Sequence, residues 1–264
     1  VFNKLTGLFD KMTFANEPLL DQPMGFNVWR APTDNDRKLK ADWYAAHYDH
    51  AATNAYHTEY TVTASGVTLH THVGIAAICV QKFLDLDVTW TVANNGSVDL
   101  ALHAQRNTVF PELPRFGLRL FLPQEMSQVN YYGMGPMECY RDKHHAASHS
   151  SYTATVWQLH EDYIRPQENG SHFDCDYVML AGDAVRLTAV GTQPFSFNAS
   201  HYTQEELTRK AHNYELEPCG STVLCLDYAQ NGIGSESCGP RLLEQYRLDD
   251  AAFDFGLRLI PEKK

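Results

Sequence analysis

The sequence predicts an all-β fold, an antiparallel sandwich, and three observations carry that prediction. From about residue 58 onward apolar and polar residues alternate with a period of two over most of the chain, as strands with one wet face require. Glycine, asparagine and proline separate most of the alternating runs. No βαβ rhythm interrupts them, which argues against a Rossmann domain and a (β/α)8 barrel. A chain of 264 residues can bury one large β core, and it shows no internal repeat, low-complexity stretch or proline-serine linker. It is therefore read as one unit over 1–264.

The elements follow in order. KLKADWYAAHYDHAA at 38–52 has good helix formers, but its aromatics fall on several faces, so it is read as a mobile loop or short helix. TEYTVTASGVTLHTHV at 58–73 is a strand run broken at Ser65-Gly66. FLDLDVTWTVANNGSVDLALHAQ at 83–105 places Leu84, Leu86, Val88, Trp90 and Val92 on one face before an Asn94-Asn95-Gly96 turn. The alternation continues through RFGLRLFLP, VNYYGMG, DYVMLAG, AVRLTAVG, FSFNAS, TVLCLDYAQ and FDFGLRLI. About ten or more short strands are expected, enough for a sandwich. The clearest helix signal is Thr203 three residues before Glu206, a capping-box spacing that starts two or three turns.

Composition narrows the function classes. Lys and Arg number 21 against 32 Asp and Glu, and no basic stripe gathers to neutralise a phosphate backbone, so nucleic acid is not an expected partner. The longest apolar runs, such as VGIAAICV at 73–80, fall short of the roughly 20 residues of a membrane helix. Cys79, Cys139, Cys175, Cys219, Cys225 and Cys238 form no C-x-x-C pair, which fits a reducing cytoplasm better than a disulfide framework. The chain starts at Val1 with neither an initiator Met nor a signal peptide, and is expected to be a piece of something longer.

The candidate chemistry is modest. His144, His145 and His149 in DKHHAASHS invite a metal, but adjacent histidines on a strand point to opposite faces, and an exposed polar loop is the stronger reading. No G-x-S-x-G and no phosphate-cradling glycine loop are present. Glu138, Glu168 and Glu236 sit on turn-rich segments, where a carboxylate pair would suit glycoside hydrolysis. Carboxylates in turns far more often cap backbone N–H groups.

Six segments, taken together, resemble one family. NVWRAPTDNDR at 27–37, LPRFGLRLFLP at 113–123, YYGMGPMECYRD at 131–142, YIRPQENG at 163–170, FSFNASHYTQEEL at 195–207 and LDYAQNGIGSESCGP at 226–240 are similar, in that order, to the C-terminal domain or small chain of the large bacterial β-galactosidases, glycoside hydrolase family 2. The resemblance implies an antiparallel β-supersandwich of the galactose-mutarotase-like kind. It implies that both catalytic glutamates belong to a separate barrel domain or large subunit, so that this chain by itself is inactive. It implies a partner barrel, a galactoside at a shared pocket and a homo-oligomeric assembly. No cofactor is implied for this chain, Mg and Na being held mainly by the catalytic domain.

The same resemblance assigns residues. Glu236, Ser237 and Cys238 fall on the substrate rim, at the aglycone side of the pocket. Cys238 stands where the best-known relative has a tryptophan, and loss of aromatic stacking worth about 1–3 kcal/mol implies a weaker aglycone grip. Arg30, Asp34, Asn35 and Asp36 form a barrel-facing or structural corner. Glu138 and Asp142, in a Gly-x-Gly-Pro-x-Glu-x-Tyr-x-Asp pattern, are read as ties for a tight turn rather than catalysts. Arg37-Lys38-Leu39-Lys40 replaces the glycine that many relatives have in a mobile loop, which argues against that mobility. Two other functions stay open: a free-standing aldose 1-epimerase using a His acid and a Glu base, and a carbohydrate-binding module.

Overall fold

The computed structural model describes residues 1–234 and 238–264. The alternating runs are strands because each hides one apolar face: Leu84, Leu86, Val88 and Trp90 are buried while Asp87 among them is exposed. The strands are β1 (Phe2–Asn3), β2 (Leu8–Phe9), β3 (Thr13–Phe14), β4 (Glu17–Pro18), β5 (Gln22–Asn27), β6 (Ala52–Thr63), β7 (Gly66–Ala76), β8 (Leu84–Ala93), β9 (Val98–Arg106), β10 (Arg115–Pro123), β11 (Gln128–Gly135), β12 (Ser148–Thr155), β13 (Ser171–Ala181), β14 (Val185–Ser200), β15 (Ser221–Gln230) and β16 (Ala252–Lys263).

Twelve of them form one antiparallel sheet. β6 to β9 make a meander of successive hairpins, turning at Ser65-Gly66 and at Asn94-Asn95-Gly96 as expected. β16 pairs with β9 on one side and β14 on the other, and β13, β11 and β12 continue to the far edge. β12 exposes most of its residues at that edge, so it carries no apolar alternation and reads as loop in the sequence.

The sheet forks at β14. Val185 to Gly191 pair with β16, whereas Ser196 to Ser200 pair with β15, which leads to β10 and then β5. The sequence shows two runs here, AVRLTAVG and FSFNAS, and the structure has one 16-residue strand whose pairing with β13 shifts register between them. Pro194 has no N–H to give to a ladder, and a Cβ at Gly191 would lie 2.1 Å from the Gln193 carbonyl oxygen. The two branches close on a common core: Phe116 of β10 meets the Phe253 ring of β16 edge-on at 5.1 Å, and Tyr228 of β15 stacks on it at 4.3 Å.

Helices are few and short. α1 (Leu39–Ala45) and a 3-10 turn at Tyr48–His50 occupy the 38–52 segment. Its scattered aromatics find different partners: the Trp43 indole donates to the Glu112 carbonyl (2.9 Å) and the Tyr48 hydroxyl to the Pro111 carbonyl (2.8 Å). α2 (Gln204–Arg209) begins where the capping-box spacing placed it, the Thr203 hydroxyl accepting from the Glu206 N–H at 3.1 Å.

Candidate functional site

Four of the six segments meet at one wall. In NVWRAPTDNDR, Arg30 donates to Asp36 Oδ1 (2.8 Å), to the Gly232 carbonyl (3.1 Å) and to the Asn231 carbonyl, and its guanidinium lies 5.1 Å from the centre of the Trp43 ring. Asp36 Oδ2 accepts from the Thr33 N–H (2.9 Å) and hydroxyl (3.1 Å), shaping a 3-10 turn over Asp34–Arg37. The Asn35 amide donates to the Ile233 carbonyl (2.9 Å), and the Asp34 N–H to Gln167 Oε1 (3.0 Å). Arg30 and Asp36 are fully buried. Asp34 is exposed and Asn35 half-buried. The following Arg37-Lys38-Leu39-Lys40 runs directly into α1, with Leu39 buried.

Glu138 lies inside the wall, 8% exposed. It accepts from Lys143 Nζ (2.7 Å), the Gly170 N–H (3.0 Å), the Tyr140 hydroxyl (3.3 Å) and the Tyr163 hydroxyl. Burial pushes its carboxyl up, but the bonds from Lys143, Tyr163 and Gly170 outweigh that and hold it below the usual carboxylate range. Asp142 holds a neighbouring loop rather than its own turn: Oδ1 accepts from the Ile233 N–H (3.0 Å) and Oδ2 from the Gly234 N–H (2.8 Å).

A charged cluster that sequence reasoning missed supports the wall from behind. Arg115 donates Nε–H to Asp227 Oδ1 (3.2 Å), a second N–H to Asp227 Oδ2 and a third to Glu168 Oε1 (2.9 Å), all three residues being buried. Burial works against the Arg115 charge, but Asp227 and Glu168 more than reverse it and raise its pKa well above the ordinary value. Burial also raises the carboxyl of Glu168, with Arg115 and Arg30 drawing back only part of that rise. The sequence signal was present as an arginine and an aspartate interrupting apolar strands; nothing local indicated that they pair. Glu168 is thus committed to Arg115, and Glu138 to its four donors.

Two cavities open on this wall. One, of about 490 Å3, is lined by Asp34, Asn35, Asp142, Tyr163, Gln167 and Glu168 among others. The second, of about 520 Å3, shares Asn35, Asp142 and Gly234 with the first and adds Cys238, Arg241 and Tyr246. Cys238 is exposed at its edge. The structure therefore brings Cys238 together with Asn35 and Asp142; Glu236 and Ser237 lie outside the described residues.

The histidines serve other contacts. A His144 ring nitrogen is 3.2 Å from the Tyr140 carbonyl, and the ring packs on His145 (4.8 Å) and Phe173 (5.4 Å). His149, in β12, lies 3.0 Å from the Asp174 carbonyl. Among the described residues no group of three or more His, Cys, Asp or Glu is placed to hold a metal ion, and no helix is long and apolar enough to cross a membrane.

Comparison with known proteins places the chain. A family model described as beta galactosidase small chain matches residues 1–259. The β-galactosidase of Actinobacillus pleuropneumoniae is 43% identical over 261 residues, covering 99% of this chain and 26% of that protein. That of Staphylococcus xylosus is 38% identical over 259 residues, covering 98% of this chain and again 26% of the relative. Among solved structures, a galactose mutarotase-like protein from Lactobacillus casei is 11% identical with a TM-score of 0.49, covering 99% of this chain and 96% of that one. The chain spans about a quarter (26%) of the length of these β-galactosidases. With a family match running over nearly its whole length, it belongs to the β-galactosidase small chain family.

Proposed function

We propose that this chain is the non-catalytic C-terminal domain or small subunit of a β-galactosidase, an enzyme that hydrolyses terminal β-D-galactosides such as lactose. It shapes the rim of the active site and stabilises the assembly, while the catalytic carboxylates come from a barrel domain or large subunit. One observation carries the reading: Asn35 and Asp142 line both of two adjoining cavities, and Cys238 lines one of them, so residues of the corner share a cavity with the rim residue. Support also comes from the commitment of Glu138 and Glu168 to protein donors, which leaves neither poised to attack or protonate a sugar. Cys238 is the aglycone-side contact, and Asp142 ties down Ile233 and Gly234 on the same wall. The proposal includes a cytoplasmic, homo-oligomeric enzyme; the free thiols of Cys139, Cys175 and Cys225, buried in the fold, suit a reducing compartment.

The test is reconstitution. The chain alone should leave nitrophenyl β-galactoside intact, and activity should appear when the barrel portion is supplied and assembled with it. Hydrolysis by the chain alone would overturn the proposal. So would concentration-dependent acceleration of galactose mutarotation, which would favour an epimerase instead.

A further inference from the structure

The β7–β8 and β9–β10 connections carry the two most exposed large apolar side chains among the described residues, Ile78 and Val109, each 88% exposed. We propose that these two loops form a docking tip that seats against an apolar depression on the part of the enzyme outside this chain. The inference rests on the function proposed above and names a second place, beyond the rim, where the two parts meet.

Both loops are built to display these side chains. The Val80 N–H donates to the Ala77 carbonyl (3.2 Å) and the Phe110 N–H to the Asn107 carbonyl (3.1 Å), so Ile78 and Val109 each stand at the centre of a closed four-residue turn. Cys79, the third residue of the first turn, has a φ of 63°, a left-handed conformation that glycine or asparagine ordinarily supplies. Such strain gathers at binding and switch segments. The turns are tied together: the Asn107 N–H donates to the Phe83 carbonyl (2.9 Å), Phe110 packs on Phe83 at 5.8 Å, and the Asn107 side-chain oxygen accepts from the Val109 N–H (3.2 Å). The tip is thus formed before any partner arrives, which spares the ordering cost of binding. No charged residue occurs in 76–81 or in 107–111, and charge begins only behind them, at Lys82, Asp85 and Arg106. An uncharged apolar centre with a polar rim is the anatomy of a protein interface.

The occupant follows from the connection between tip and wall. Val109 is three residues from Glu112, so their Cα atoms lie within roughly 11 Å of each other. Glu112 in turn accepts from Arg241 (2.8 and 2.9 Å), which lines the same cavity as Cys238. The Glu112 and Pro111 carbonyls hold Trp43 and Tyr48, and Trp43 carries the Arg30 guanidinium of the corner. Tip, corner and rim therefore share one end of the molecule, and a body that covers the rim cavity is within reach of Ile78 and Val109. The curated relatives contain such a body, because this chain matches only 26% of their length. A second copy of this chain has no comparable tie to the rim.

The experiment uses the complete protein that carries this chain. Cys79 reports on the tip, because its thiol is exposed in this fold and docking covers it. Alkylation by N-ethylmaleimide, read at the Cys79 peptide by mass spectrometry, should be about tenfold or more slower in wild type than in Ile78→Asp or Val109→Asp, since each variant puts a charge where an aliphatic side chain is buried on docking. Hydrogen-exchange protection of the β8–β9 hairpin verifies that the variants keep the fold. A photoreactive benzophenone side chain placed at Thr108, with both aliphatic residues intact, should cross-link to peptides outside this chain's 264 residues. Equal alkylation rates in wild type and both variants would overturn the inference, as would cross-links confined to a second copy of this chain. Either result leaves the proposed function standing, because that reading fails instead through hydrolysis or mutarotation by this chain alone.

Discussion

Replacing Glu138 by glutamine tests the most ambiguous carboxylate in the chain. Four donors converge on it: the Lys143 ammonium, the Gly170 N–H and the Tyr140 and Tyr163 hydroxyls. Glutamine keeps one acceptor oxygen but turns the other into a donor. Lys143, whose side chain is 52% exposed, swings into water at small cost, and a tyrosine hydroxyl rotates to accept. What remains is the loss of about one charge-assisted hydrogen bond, roughly 1.5–3 kcal/mol. Glu138→Ala leaves the Gly170 N–H without its acceptor and opens a void, costing about 3–5 kcal/mol. For a domain of this size each kcal/mol lowers Tm by about 2–4 °C, so the glutamine variant should melt about 3–12 °C early. The sign of the pH dependence follows from the depressed carboxyl. Its stabilisation is fully present above the unfolded-state value of about 4.3 and is lost as pH falls through the lower folded value. Urea unfolding at neutral pH should therefore show the full gap between wild type and Glu138→Gln, and the gap should close in acid. A gap that persists in acid refutes the electrostatic account. Loss of turnover in an assembled enzyme of normal stability refutes the structural role itself.

Three further outcomes follow from the same geometry. Gly117→Ala puts a Cβ 2.2 Å from the Leu226 carbonyl oxygen and 2.5 Å from the Asp227 Cα; it should cost about 3 kcal/mol or more, and a normal melting curve would contradict the close approach of β10 to β15. Asp142→Ala frees the Ile233 and Gly234 N–H groups, so hydrogen exchange at those two amides should speed up by about tenfold or more, while amides in the β8–β9 hairpin stay protected. Cys238→Trp restores an aromatic surface at the proposed rim and should lower KM for lactose about fivefold with little change in kcat; an unchanged KM places Cys238 away from the aglycone.

Period-two alternation made the strands from β6 to β11 and from β13 to β16 legible, because burial of one face acts on each residue locally, whereas β1 to β5 were not read as strands. It made the pairing order illegible. β16 joins β9 to β14 through a register set by packing between residues far apart in the chain. The same division holds at the site. Thr33 and Asp36 lie three apart, and Arg30 meets Asp36 six residues on, so a hydrogen-bonded corner could be read from the segment itself. Arg115 and Asp227 are separated by 112 positions, and each looks like an isolated charge in an apolar strand. Glu138 was readable as a turn residue beside Tyr140 and Lys143, but its bond to the Gly170 N–H, 32 positions on, depends on the tertiary fold. The polar edge strand β12 was invisible because exposure removes the pattern on which strand reading depends.

The position of β16 also sets a timetable for synthesis. The ribosome releases the meander of residues 52–106 early and the strands up to residue 200 next, yet their common neighbour, residues 252–263, emerges only afterwards. Until then the outer side of β9 and the first half of β14 are unpaired edges with apolar faces, the kind of surface that recruits other chains. At about 5–20 residues per second, that exposure lasts several seconds or more. The chain's yield in a cell is therefore coupled to translation speed and chaperone supply through a strand that touches none of the candidate chemistry.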